Sequence, residues 1–255
     1  VSSRRKKLIL IPERVVATIE TLRKRIHERF GECGLYRVCS QLRDIAEADA
    51  RRAVRIGRRY IWLRLLVFLT LIIGVAALWR VLPLFDFTRT TADIYSIVQG
   101  IEAAANLTLL TGAAVLFLVK LEERLKRRRA LGALHELRSI VHVIDMHQLT
   151  KDPSKFIVGG NTPSSPPLLL NEFQMTRYLD YCSEMLSLTS KVAVVFGQYL
   201  DNPAVAEVVS DIERISAGLS QKIWQKIMIL QQFREKEAPA QDIPAGDKAA
   251  IPVTD

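Results

Sequence analysis

Ile61–Leu82 reads IWLRLLVFLTLIIGVAALWRVL and Gly100–Val119 reads GIEAAANLTLLTGAAVLFLV. At about 1.5 Å per helical residue, each run is long enough to cross an apolar layer about 30 Å thick. Each carries dense positive charge on one side only. Arg51, Arg52, Arg55, Arg58 and Arg59 precede the first, and Lys120, Arg124, Lys126, Arg127, Arg128 and Arg129 follow the second. The stretch between them, Pro83–Gln99, holds Arg89 as its single basic residue. Positive residues stay on the cytoplasmic side, so the pattern predicts a two-span hairpin with both termini in the cytoplasm, in a bacterial inner membrane. Arg64 and Arg80 bracket 15 uncharged residues of the first span, Leu65–Trp79, and must snorkel to the two interfaces. Trp62 and Trp79 sit where an interfacial aromatic belt falls.

The charge distribution supports the same layout. The net charge is +9, but residues 1–60 hold 16 basic and 7 acidic residues, whereas residues 136–255 hold 11 and 15. Positive charge hugs the predicted membrane and the distal half is mildly acidic, which points to an anionic inner leaflet as a partner. No recognition helix, zinc-finger spacing or RNA-binding aromatic signature accompanies the basic residues, so nucleic acid is not expected. Cys33, Cys39 and Cys182 fall in cytoplasmic segments and read as thiols rather than disulfides. The chain starts at Val1 without a signal-peptide layout, which reads as a trimmed or processed start.

Outward from the hairpin, the chain divides into helices. Residues 1–60 are basic and amphipathic. Pro12 opens a first helix to Phe30, with Val15, Val16, Ile19, Leu22, Ile26 and Phe30 on one stripe. That stripe suits the leaflet surface or a cytoplasmic bundle equally well. Gly31 and Gly34 break the helix, and a second one is expected from Tyr36 through Arg59 into the first span. Residues 61–119 form the hairpin, with spans at about 61–82 and 100–119. Residues 120–150 continue the second span into the cytoplasm. Residues 151–170 are a Pro- and Gly-rich linker. Residues 171–235 form an antiparallel helical hairpin. It opens on an Asn171/Gln174 capping box and turns at Asp201–Asn202–Pro203. Leu179, Leu186, Phe196 and Leu200 mark a heptad seam on its first helix, and Ile212 and Leu219 mark one on its second. Residues 236–255 read as a disordered tail. The fold class expected is all-α and integral to the membrane, with a two-span hairpin carried on a cytoplasmic helical bundle.

Three sets of residues are candidates for function. Glu102 and Asn106, one turn apart in the second span, would line a cation-attracting mouth if several subunits ringed that face. Thr70 and Gly74, with Ala104, Thr108 and Gly112, are small residues at four-residue steps and are expected at helix–helix contacts, first within the hairpin. His135, His142 and Asp145 are weak candidates for a metal or a pH-sensing site. Two ligands from one helix do not make a metal centre, and a helix-face polar network is the simpler reading. Gly159–Gly160–Asn161–Thr162 lacks the ending of a phosphate loop. No cofactor and no enzymatic activity are expected.

In the order of basic helix, span, short outer loop, span and basic helical continuation, Arg51–Leu149 resembles the two-helix membrane effector (SLATT-like) domains of bacterial defence systems linked to nucleotide signals. The resemblance implies oligomerisation and pore formation or membrane disruption on a signal. The sequence itself leads first to an oligomerising scaffold that binds a cytoplasmic protein partner. An ion-conducting or permeabilising oligomer comes second, and a metal- or pH-responsive regulator third.

Overall fold

The computed structural model describes residues 9–57, 60–81, 94–151, 153, 164 and 170–237, and the secondary structure among them is helical. There are six helices in these residues: α1 (Pro12–Phe30), α2 (Gly34–Gly57), α3 (Ile61–Val81), α4 (Ile94–Leu149), α5 (Glu172–Tyr199) and α6 (Pro203–Glu237). Most of the linker, the tail beyond Glu237, the outer loop at 82–93 and the glycines at 159 and 160 lie outside the described residues.

α1 starts on Pro12 and buries Val15, Ile19, Leu22 and Ile26. It packs on α2 and α5, so its apolar stripe belongs to the bundle. Gly31 ends it with φ of 64°, a left-handed conformation that glycine adopts without a Cβ clash. Gly34 does not break a helix. It is the first residue of α2, two positions before the expected start at Tyr36. A Cβ there would come within 2.7 Å of His147 Cε1, so glycine serves a close approach to α4. α2 ends at Gly57, Arg58 and Arg59 lie outside the described residues, and Tyr60 precedes α3 in non-helical conformation.

α4 is the axis of the molecule. Its 56 residues span about 84 Å at 1.5 Å per residue. It starts at Ile94, six residues before the expected Gly100, and runs without a proline to Leu149. Its first half packs on α3 and its second half on α2, α5 and α6. Ala130, Ala133, Leu134, Leu137, Ile140, Val141 and Ile144 are the core positions of the second half. Their three- and four-residue steps make one apolar stripe.

α5 starts behind Asn171, whose Oδ1 accepts from Gln174 N at 2.8 Å while Gln174 Oε1 accepts from Asn171 N at 3.0 Å. The Asn202 side chain accepts from Ala204 N at 3.2 Å at the start of α6. Leu179, Leu186 and Phe196 of α5 and Ile212 of α6 are fully enclosed, and Leu219 is buried at the edge. Leu200 is only half-buried because it caps the helix. The burial on α5 is wider than a heptad seam. Tyr178, Tyr181, Met185, Leu188, Val192 and Val195 are buried too. α5 is covered from several sides by α1, α2, α4 and α6, and a two-helix seam would leave those flanks wet. Arg25 of α1 clamps Glu184 of α5 with bonds of 2.8 and 3.2 Å. Cys39 and Cys182 are enclosed, and burial pushes both thiols up to about 12.

The two apolar segments stay outside this core. Both are long and apolar enough to cross a membrane, and only 6% and 0% of their most apolar windows are buried within the chain. A core helix of a soluble protein has its apolar positions covered. These leave Leu65, Phe68, Leu69, Ile72, Ile73, Leu109, Leu110 and Phe117 exposed.

Leu137, fully enclosed in α4, tests the role of that helix in the bundle. Leu137→Ala is expected to cost about 2–5 kcal/mol in denaturant unfolding of the detergent-held protein. His142→Ala, on the exposed side of the same helix, is expected to stay within about 0.5 kcal/mol of wild type.

Candidate functional site

The α3–α4 contact sorts the small residues of the hairpin into two groups. Gly74 faces Thr111, and a Cβ on Gly74 would lie 2.7 Å from Thr111 Cγ2. Thr70 and Ala104 are also half-covered. Thr108 and Gly112 are exposed, and a Cβ on Gly112 would meet nothing within 4 Å. The contact face of α4 instead follows Ala104, Leu107, Thr111, Ala114 and Leu118, which are all half-covered. Those steps alternate three and four and hold one direction. Successive steps of four rotate about 40° each, which carries Thr108 and Gly112 off the face. Thr108 Oγ1 donates to Ala104 O at 2.8 Å and Thr70 Oγ1 to Leu66 O at 2.9 Å, so both hydroxyls are satisfied within their own helices.

Glu102 and Asn106 stand two residues either side of Ala104 and are both exposed. At about 100° per residue they project roughly 160° away from it, on the side opposite α3. Gln99 and Tyr95 are exposed one and two turns before Glu102. The outward face of α4 in its first third therefore carries polar groups among exposed apolar ones such as Val98 and Leu109, while the outward face of α3 is apolar. No hydrogen bond or ion pair joins Glu102 or Asn106 to another side chain among the described residues.

The histidine stretch does not assemble a site. His135 and His142 are exposed on α4. Asp145 Oδ1 instead accepts from Gln148 Nε2 at 2.6 Å. Gln148 is 1% exposed, and its backbone O and Oε1 accept from Lys226 Nζ at 2.9 and 2.8 Å. This network ties α4 to α6. No group of three His, Cys, Asp or Glu side chains suited to a metal ion occurs among the described residues. His147 is the histidine that faces inward. Its Nδ1 lies 3.4 Å from Tyr178 Oη, and its ring packs on Gly34. Burial, and then the positive charges of Lys151 and Arg37, hold the ring below its usual value.

Two features were not singled out from the sequence. The first is Asp49, 1% exposed on α2. Oδ1 accepts from Arg52 Nη1 at 3.1 Å, and Oδ2 is buried without a partner. Burial pushes this carboxyl up to about 6, against the pull of Arg52 and with the help of Glu136. The signal was present in the spacing: Leu42, Ala46, Asp49, Ala53 and Ile56 step by three and four, and the other four are core residues. The charged neighbours Asp44, Glu47, Arg51 and Arg52 masked it. The second is a lock on Tyr60, just before α3. Its N–H donates to Glu122 Oε1 at 3.3 Å and its hydroxyl accepts from Arg129 Nη1 at 2.6 Å. Lys126 Nζ lies 5.5 Å above its ring and 2.7 Å from Glu122 Oε1. Burial alone would raise the Glu122 carboxyl, but the bonds from Lys126 and from Tyr60 N–H outweigh it and hold it below the usual range.

On the far side of the bundle, α1, α5 and α6 enclose a groove of about 720 Å³. Ile9, Ile11 and Trp224 are exposed in it, at 60%, 44% and 58%, beside Asp180, Glu184 and Lys191. An apolar floor with a charged rim is the composition of a protein-docking surface. Compared with family models, curated proteins and solved structures, the chain matches none.

Asp49 gives a pH prediction. Its folded-state value near 6 lies above its ordinary value of 3.8, so the protonated form favours the fold. That contribution is complete below about pH 4 and is lost as pH rises through about 6. Asp49→Asn is therefore expected to stabilise the protein by about 1–3 kcal/mol at pH 7.5. The difference should shrink as pH falls through about 6 and close near about pH 4, read as melting temperature from about pH 3.5 to 8. A variant indistinguishable from wild type at every pH would remove the effect.

Proposed function

We propose that this protein is a two-pass integral membrane scaffold. It self-associates through the outward face of α4 and presents its helical bundle to a cytoplasmic protein partner. The orientation of Glu102 and Asn106 carries the reading. In a lone hairpin they would face lipid, where unpaired polar groups are costly. A second copy of α4 supplies hydrogen-bonding partners for them, while the apolar face of α3 meets lipid. The basic flanks at 51–59 and 120–129 support a reading with the bundle and both termini on the cytoplasmic side, against an anionic inner leaflet, as in a bacterial inner membrane. The groove bounded by Ile9, Ile11 and Trp224 is the surface for the partner.

A second reading rests on the same face. If the assembly is a ring, Glu102 and Asn106 line a cation-attracting pore. The layout similarity to two-helix membrane effector domains favours that version.

Native mass spectrometry of the nanodisc-held protein tests the proposal. A homo-oligomer is expected, and Asn106→Leu is expected to weaken self-association by about three- to tenfold. A strictly monomeric wild type would overturn it. For the pore version, liposome conductance is expected to fall with Glu102→Gln, and conductance equal to that of empty liposomes would eliminate it.

A further inference from the structure

Between the end of α2 and Tyr60, just before α3, the chain leaves a cleft of about 710 Å³ against α4. Arg52 and Arg55 of α2 line one side and Arg128 and Arg129 of α4 the other. Tyr60 stands at the end next to α3, and Glu136 stands two turns further down α4 from the arginines. Gly132 leaves the α4 wall open, since a Cβ there would meet nothing within 4 Å.

The charges do not balance. Arg52 is held by Asp49 at 3.1 Å and Glu136 at 3.3 Å. Arg55 donates only to a backbone oxygen, Arg51 O at 3.2 Å. Arg129 donates to the neutral Tyr60 hydroxyl at 2.6 Å and stacks over its ring at 5.5 Å. Arg55, Arg128 and Arg129 have no acidic partner among the described residues. Three uncompensated guanidiniums converging on one cleft repel one another, and a multiply charged anion relieves that repulsion. Planar guanidinium forks match the oxygens of a phosphate ester, and the Tyr60 lock pre-sets one of them.

Height selects the source of the phosphate. Arg128 and Arg129 lie nine and ten residues beyond Val119, about 14 Å along the helix from the apolar run. The headgroup layer occupies about 5–8 Å of that distance. Long arginine side chains that snorkel toward the bilayer span the remainder. We propose that this cleft binds a phosphate ester at the membrane boundary, the headgroup of an anionic phospholipid in the leaflet next to the basic flanks. The inference rests on the membrane placement argued above, but not on self-association.

The test uses the full chain. Reconstituted protein is floated with neutral phosphatidylcholine vesicles; failure to co-float overturns the membrane placement itself. In detergent, dihexanoyl phosphatidic acid, which is water-soluble, and inorganic phosphate are titrated separately against melting temperature. The lipid is expected to raise it saturably. The double variant Arg55→Gln/Arg128→Gln, both at exposed positions, is expected to weaken that response by about tenfold or more. Arg124→Gln/Arg127→Gln removes equal charge outside the cleft and is expected to behave as wild type. An equal response to inorganic phosphate keeps the anion site but overturns the lipid as its occupant. No saturable response, or equal losses in both double variants, overturns the site.

Discussion

One uninterrupted helix constrains everything else. α4 carries its own backbone hydrogen bonds along its 56 residues, so its apolar first half and its second half in the bundle form one rod with the interior peptide groups paired. What changes along it is the set of faces that are covered. In the first half one narrow face meets α3 and the remainder is open, and in the second half α2, α5 and α6 cover it. Because the helix is continuous, the rotational setting of its apolar first half is tied to that of the bundle. A rearrangement at the Gly74–Thr111 contact turns the same rod whose Leu134, Leu137 and Val141 sit in the core.

The boundary between the halves is where charge is most elaborately managed. Glu122, Lys126 and Arg129 hold Tyr60 from three directions and so fix the point where the chain enters α3. A few residues away, Asp49 and Glu136 share Arg52. Asp49 is an ion buried at the cost of its own solvation, and it positions Arg52 at the cleft mouth. Basic flanks are expected of any membrane hairpin. The specific feature here is that two arginines on α2 and two on α4 are brought to one cleft by folding.

The places where sequence and structure part follow physical lines. Ala104, Thr108 and Gly112 look like one face because four-residue steps nearly close a turn. The residual rotation carries the latter two away from α3, and Thr111 meets Gly74 instead. The heptad positions Leu179, Leu186 and Phe196 are in the core, but periodicity cannot count neighbours, and α5 proved to have four. Gly34 reads as a helix breaker in sequence, yet it is the first residue of a helix, and it is glycine because His147, far away in the chain, packs where a Cβ would be. Asp49 was legible from its phase with Leu42 and Ala53, though not from its charged surroundings.

Composition and order alone determined the helical class, the two long apolar segments, the charge asymmetry about them, the capping box at Asn171 and the stop at Gly31. These are local properties: side-chain polarity, helical period and backbone freedom act within a few residues of one another. Only the tertiary structure decided that α1 lies in the bundle, that Asp145 holds Gln148, which in turn holds Lys226, rather than His142, and that Glu102 and Asn106 turn away from α3. It also decided that Arg52, Arg55, Arg128 and Arg129 converge. Each of these depends on which faces of distant helices meet, and that follows from packing a common core, a condition that no short stretch of the chain contains.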